Sequence, residues 1–162
     1  MNHIEVRELP GKYIAEHPAI IVDGLTLDLV LHAASATRTD TAAPGYEGLV
    51  PAMFALIDSK EHLWATSVSL NFSLGRRLVP LLVCPDCCDT SCSVVLADTV
   101  FNEAETEWQR IGTLRAVTGL SASYDDVAWL ENLAPFRFDR ASYVRAFQSL
   151  AGSPRLWRAT AL

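Results

Sequence analysis

No apolar run in this chain of 162 residues approaches the roughly 18 to 20 residues that a membrane-spanning helix needs; the longest, such as Leu78 to Cys84, are far shorter. The opening residues, MNHIEVRELPGKYIAEHP, carry Glu5 and Glu8 and no apolar stretch, so they lack the basic and hydrophobic regions of a signal peptide. A cytoplasmic protein without a membrane partner is expected. Positive charge is scarce too: 13 Lys plus Arg stand against 19 Asp plus Glu, a formal net charge of -6. That balance gives no drive toward phosphate backbones and excludes nucleic acid as the expected partner. The chain also lacks internal repeats, low-complexity tracts, a phosphate-binding glycine loop, a Gly-x-Ser-x-Gly elbow and a His-Glu-x-x-His motif.

What is present is apolar material. Half of the residues are hydrophobic and a fifth are charged, which suits one domain spanning 1-162 with a real core. Ala19 to Val22 is a short strand-like run, and Asp23-Gly24 turns the chain. In LTLDLVLHAASA the leucines alternate as in a strand, yet Thr26 can cap a helix, Val30 breaks the polar face and the segment ends in alanine, so a helix is preferred. Residues 33-48, small, polar and broken by Pro44-Gly45, read as a surface loop. Asp58-Ser59 caps a helix from about Lys60 to Leu70, with Glu61 in its first turn.

Leu78 to Cys84 is apolar on both faces and predicts a buried strand, in which Pro80 leaves a gap in the hydrogen-bond ladder. Ser93 to Phe101 and Thr106 to Ile111 complete an antiparallel meander over about 78-112. After it no strong strand is visible until a helix capped by Asp139, with Tyr143, Val144, Phe147 and Leu150 along one stripe. The expected fold class is therefore α+β, the meander packed against two or three helices.

Between Leu78 and Gln109 there is no Lys or Arg, while Asp86, Asp89, Asp98, Glu103, Glu105 and Glu107 supply six acids. From Asn132 onward Arg137, Arg140, Arg145, Arg155 and Arg158 face the single acid Asp139. The two halves can pair, or each can face a partner. Glu103, Glu105 and Glu107 are the candidate surface for binding a basic protein.

All four cysteines lie in CPDCCDTSC, at Cys84, Cys87, Cys88 and Cys92, between two predicted strands. Cys84, Cys87 and Cys92 are candidate zinc ligands, but none of His3, His17, His32 and His62 has a spacing that completes a tetrahedron. Adjacent Cys87 and Cys88 diverge along an extended backbone. A redox dithiol would need a helix N-terminus after the first strand, whereas Asp86 and Asp89 should raise the thiol pKa values. Cys84 and Cys92 could also pair across the hairpin, a bond the expected compartment disfavours. The plain alternative is that the thiols are small hydrophobes filling space under the turn, with well under one zinc per chain.

The run RRLVPLLVCPDCCDTSCSVVLADTVF, with EWQRIG and PFRFDRASYVRAF after it, resembles a family of uncharacterised bacterial proteins common in actinobacteria. Such proteins carry a strand, a Cys-Pro-x-Cys-Gly-Asp turn with a further Cys, a strand, a Trp-bearing strand and a terminal Phe-Asp-Arg-x-x-Tyr helix. The resemblance covers roughly the last half of the chain and implies that order of elements, but no activity. Cys88 stands where the pattern has Gly, which argues against a left-handed turn there, because a side chain disfavours positive φ.

His62 beside Glu61, His32, and Asp125-Asp126 are single or surface groups of the kind found in most domains, and no catalytic residue is assigned. Trp64, Trp108, Trp129 and Trp157 read as core or interface anchors. Without a catalytic constellation, this small acidic chain is expected to be a non-enzymatic protein-binding domain, of the kind that neutralises a toxin as an immunity protein does. The alternative is a zinc-stabilised or thiol-dependent domain using the cysteine turn.

Overall fold

Three long strands rich in β-branched and apolar residues organise the chain. In the computed structural model, which describes residues 1–10, 16–35, 45–114 and 122–153, β5 (Gly75–Val83), β6 (Val94–Phe101) and β7 (Glu105–Leu114) pair antiparallel in sequence order. The expected meander is thus present, extended by two or three residues at each end. Val79 to Val83 and Val94 to Thr99 are buried, which is why their sequence shows little polar alternation. The register of β5 on β6 shifts between Pro80 and Leu82, where proline cannot donate to the ladder.

Earlier elements build a second, three-stranded sheet. β1 (Ile4–Leu9) pairs with β2 (His17–Val22), which pairs with the two-residue β3 (Leu25–Thr26). Asp23 (φ 51) and Gly24 (φ 85) both take positive φ between β2 and β3, as a tight hairpin turn with the right-handed strand twist requires. The LTLDLVLHAASA segment resolves its conflicting periods by using both: the short β3 leads into α1 (Leu27–Ser35). The 33-48 loop expectation is corrected at both ends. Ala33 to Ser35 finish α1, residues 36–44 lie outside the described part, and Tyr46 is buried with its hydroxyl 2.9 Å from Thr113 Oγ1.

Helices then cover the large sheet. β4 (Val50–Pro51) pairs with β5 and leads into α2 (Ala52–Ala55), and α3 (Ser59–Ser69) follows, its first turn capped as expected by Asp58, which accepts the N–H groups of Lys60 and Glu61. Both α2 and α3 pack on β5. α4 (Arg140–Gly152) begins where Asp139 accepts Ser142 N–H at 2.9 Å and packs on β1 and β7. Its buried stripe is Tyr143, Ala146, Phe147 and Leu150, with Val144 only partly covered.

The last third also holds strands that its sequence did not announce. After a 3-10 turn at Tyr124–Asp126, β8 (Val127–Trp129) and β9 (Phe136–Asp139) both pair with β7, along different stretches of it. Gly112 permits the first contact: a Cβ there would sit 2.5 Å from the Ala128 carbonyl oxygen. The second brings Phe138 to 4.7 Å from Trp108, centroid to centroid, and Tyr143 stacks on Phe147 at 4.5 Å. These fully buried rings form the aromatic end of the core, each contributing about 2 kcal/mol through burial.

Candidate metal centre in the cysteine turn

The connection between β5 and β6 spans residues 84–93, and because Val83 pairs with Val94 the two strands deliver its ends, with Cys84 and Cys92, to neighbouring positions while the tight turn at residues 85–87 folds Cys87 back. The Cys88 N–H donates to the Cys84 carbonyl at 3.1 Å, which closes that turn. Cys88 itself, where the chain leaves the turn, adopts φ 52. The left-handed position argued against above is therefore present, carried by a cysteine at a cost of about 1 to 2 kcal/mol. The Cys88 thiol, buried and donating to the Pro85 carbonyl at 2.9 Å, and the Cys88 carbonyl, accepting Ile57 N–H at 3.2 Å, hold it there.

The sulfurs of Cys84, Cys87 and Cys92 lie within 4.8 Å of one another. A tetrahedral zinc with Zn–S bonds of about 2.3 Å needs sulfurs about 3.8 Å apart, a contraction that side-chain rotation can supply. Cys88 points elsewhere, as the divergence of adjacent residues predicts. The space-filling reading fits the buried Cys88; Cys84 is half-buried, Cys87 and Cys92 are exposed, and none of the four is in a disulfide.

Electrostatics in the turn differ from the expectation that Asp86 and Asp89 dominate. Burial pushes the Cys84 thiol up, but the backbone N–H groups of Cys87 and Asp86, with the Cys87 and Cys92 side chains, outweigh it and bring the pKa below the ordinary value. Cys87, crowded by Cys92 and then Cys84, is pushed up to about 12. Three sulfurs at this spacing therefore compete for negative charge, and a cation is what relieves the competition. Burial raises Cys88, with smaller contributions from Cys84, Asp89 and Asp86.

The turn is anchored to α3. Thr90 donates its hydroxyl to Glu61 Oε1 at 2.6 Å, and Asp89 accepts the N–H of Ser91 at 2.9 Å, so the residues leading to Cys92 are fixed on both sides. In the sequence Glu61 stands out as a helix-dipole residue and as the neighbour of His62; nothing in its spacing pairs it with Thr90. Among the described residues no histidine joins the group of three thiols. His62 lies 3.4 Å from Thr66 Oγ1, His17 contacts the Pro18 carbonyl, His3 lies 3.9 Å from Glu5 and His32 is exposed.

The other candidate residues are distributed differently from their appearance in sequence. Asp98 is fully buried and accepts from Arg76 at 2.6 and 2.8 Å and from Arg110 at 3.0 and 3.2 Å, so it is no part of a partner-facing surface. Burial pushes the Asp98 carboxyl up, but the two guanidinium groups outweigh it and hold it below its ordinary value. Glu105 pairs with Arg137, which lies opposite Glu107 in the β7–β9 register, while Glu103 is exposed. The acidic and basic halves thus meet at β7 and β9. Asp125 and Asp126 are exposed in the 3-10 turn, Trp108 is a core residue, and Arg155, Trp157 and Arg158 lie outside the described residues.

Among the described residues no helix is long and apolar enough to cross a membrane. Compared with models of protein families, with curated proteins and with solved structures, the chain finds no match.

Proposed function

We propose that the cysteine turn is a thiolate metal centre, that its ion is zinc, and that the ion stabilises the β5–β6 connection. The observation that carries this reading is the convergence of the Cys84, Cys87 and Cys92 sulfurs on one point from a hairpin tip. Of the two functions the sequence left open, this is the one for which side chains come together. Sulfur donors at this separation suit zinc, which imposes no geometry of its own and accepts a tetrahedron built from thiolates. Backbone N–H groups aimed at Cys84 favour its thiolate form.

In this role zinc binds the deprotonated turn and not the unfolded chain, so its binding free energy adds to folding stability. The test is elemental analysis of protein produced without affinity-tag metals, together with thermal melting before and after chelation. One zinc per chain is expected, lost along with several degrees of Tm in Cys84→Ser/Cys87→Ser. Protein that neither retains nor takes up zinc and melts identically with and without chelator would remove the reading.

A further inference from the structure

We infer that this chain leaves its metal one donor short and that the fourth donor comes from outside it, as a neutral nitrogen base of the imidazole class. The inference rests on the metal reading above and specifies its ligand.

Three thiols converge, and among the described residues no other Cys, His, Asp or Glu atom joins them. The segments 11–15, 36–44, 115–121 and 154–162 contain neither cysteine nor histidine. A soft or borderline fourth donor is therefore not available from this sequence. Cys87 and Cys92 are exposed, so the fourth corner of the tetrahedron can be reached from solvent.

Charge then selects the class of donor. Three thiolates outweigh a dication, and Asp86 and Asp89 add negative charge within the same turn. An incoming thiolate, carboxylate or phosphate would meet repulsion from all of these groups. A neutral imidazole meets none, and it is a better zinc donor than water. The base can belong to a free molecule or to a histidine on a second copy of this chain; the coordination chemistry is shared.

The experiment uses the full chain loaded with cobalt(II), whose visible ligand-field bands report the fourth donor. Titration with imidazole should shift the bands saturably, whereas acetate and a small thiol at matched concentration should shift them far less. Bands that ignore imidazole mean that the chain closes its own site, and a stronger response to the thiol or to acetate reverses the selectivity; either overturns the inference while leaving the metal reading intact. Failure to take up cobalt or zinc overturns both. Sedimentation separates the sources: a zinc-dependent dimer dissolved by imidazole puts the base on a second copy, and a monomer that still shows the band shift puts it on a free ligand.

Discussion

Glu61 in α3 holds Thr90 twice through one oxygen, accepting its hydroxyl at 2.6 Å and its N–H at 3.3 Å. Thr90 stands two residues before Cys92, so the helix determines where the third sulfur sits. Residues that orient ligands without touching the metal commonly contribute about 10- to 100-fold in affinity. Glu61→Ala is expected to weaken zinc binding by about tenfold or more, measured by competition with a chromogenic chelator, with an unchanged far-ultraviolet circular dichroism spectrum.

Cys88 gives a prediction that isolates backbone from side chain. At φ 52 a glycine is unstrained and an alanine is not. Both replacements remove the buried thiol, so Cys88→Gly should be more stable than Cys88→Ala by about 1 kcal/mol in urea unfolding. Zinc stoichiometry should be unchanged in both, because the Cys88 sulfur is not among the converging three.

Asp98 should be the acid-sensitive element of the sheet. Its folded pKa lies below the ordinary 3.8, so the stability it contributes is present above that value and is lost as the pH falls through the folded value. Asp98→Ala removes the buried acceptor of two arginines that are themselves half-exposed, and should cost about 2 kcal/mol at neutral pH through the lost charge-assisted hydrogen bonds. Compared by urea unfolding at pH 7 and near pH 3, the variant should lose less stability on acidification than the parent chain.

Gly112→Ala tests the β7–β8 contact. The added methyl would lie 2.5 Å from the Ala128 carbonyl oxygen, a backbone atom that cannot withdraw without separating the strands, and 2.7 Å from Val127 Cγ1. A loss of about 2 to 3 kcal/mol is expected from overpacking of this kind, visible in urea unfolding and in faster amide exchange at Gly112 to Leu114.

Elements whose signals are local were legible in the sequence. The meander announces itself through residues that are apolar on both faces, α3 and α4 through Asp58 and Asp139 as caps, and the turn at Asp23-Gly24 through its composition. The three candidate sulfurs follow from a Cys-x-x-Cys turn between adjacent strands. The rest depends on contacts remote in sequence. Phe136–Asp139 is too short to read as a strand and becomes one because β7 offers it an edge. Tyr46 is drawn from an apparently polar loop by Thr113. Cys88 breaks a local rule because its buried thiol and its carbonyl, bonded to Ile57, outweigh the strain.

Asn2 closes the sheet from the other end of the chain. Its N–H donates to the Arg137 carbonyl at 2.7 Å, and its side-chain oxygen accepts Arg137 N–H at 2.8 Å across 135 residues of sequence. During synthesis β1 leaves the ribosome early, yet this clasp cannot form until Arg137 has followed, at about 5 to 20 residues per second. β5, β6 and β7 can assemble in the interval, while β9 and the α4 face that covers β1 must wait. The β5–β6 hairpin with its three converging thiols can thus be complete while the residues that enclose the aromatic end of the core are still being synthesised.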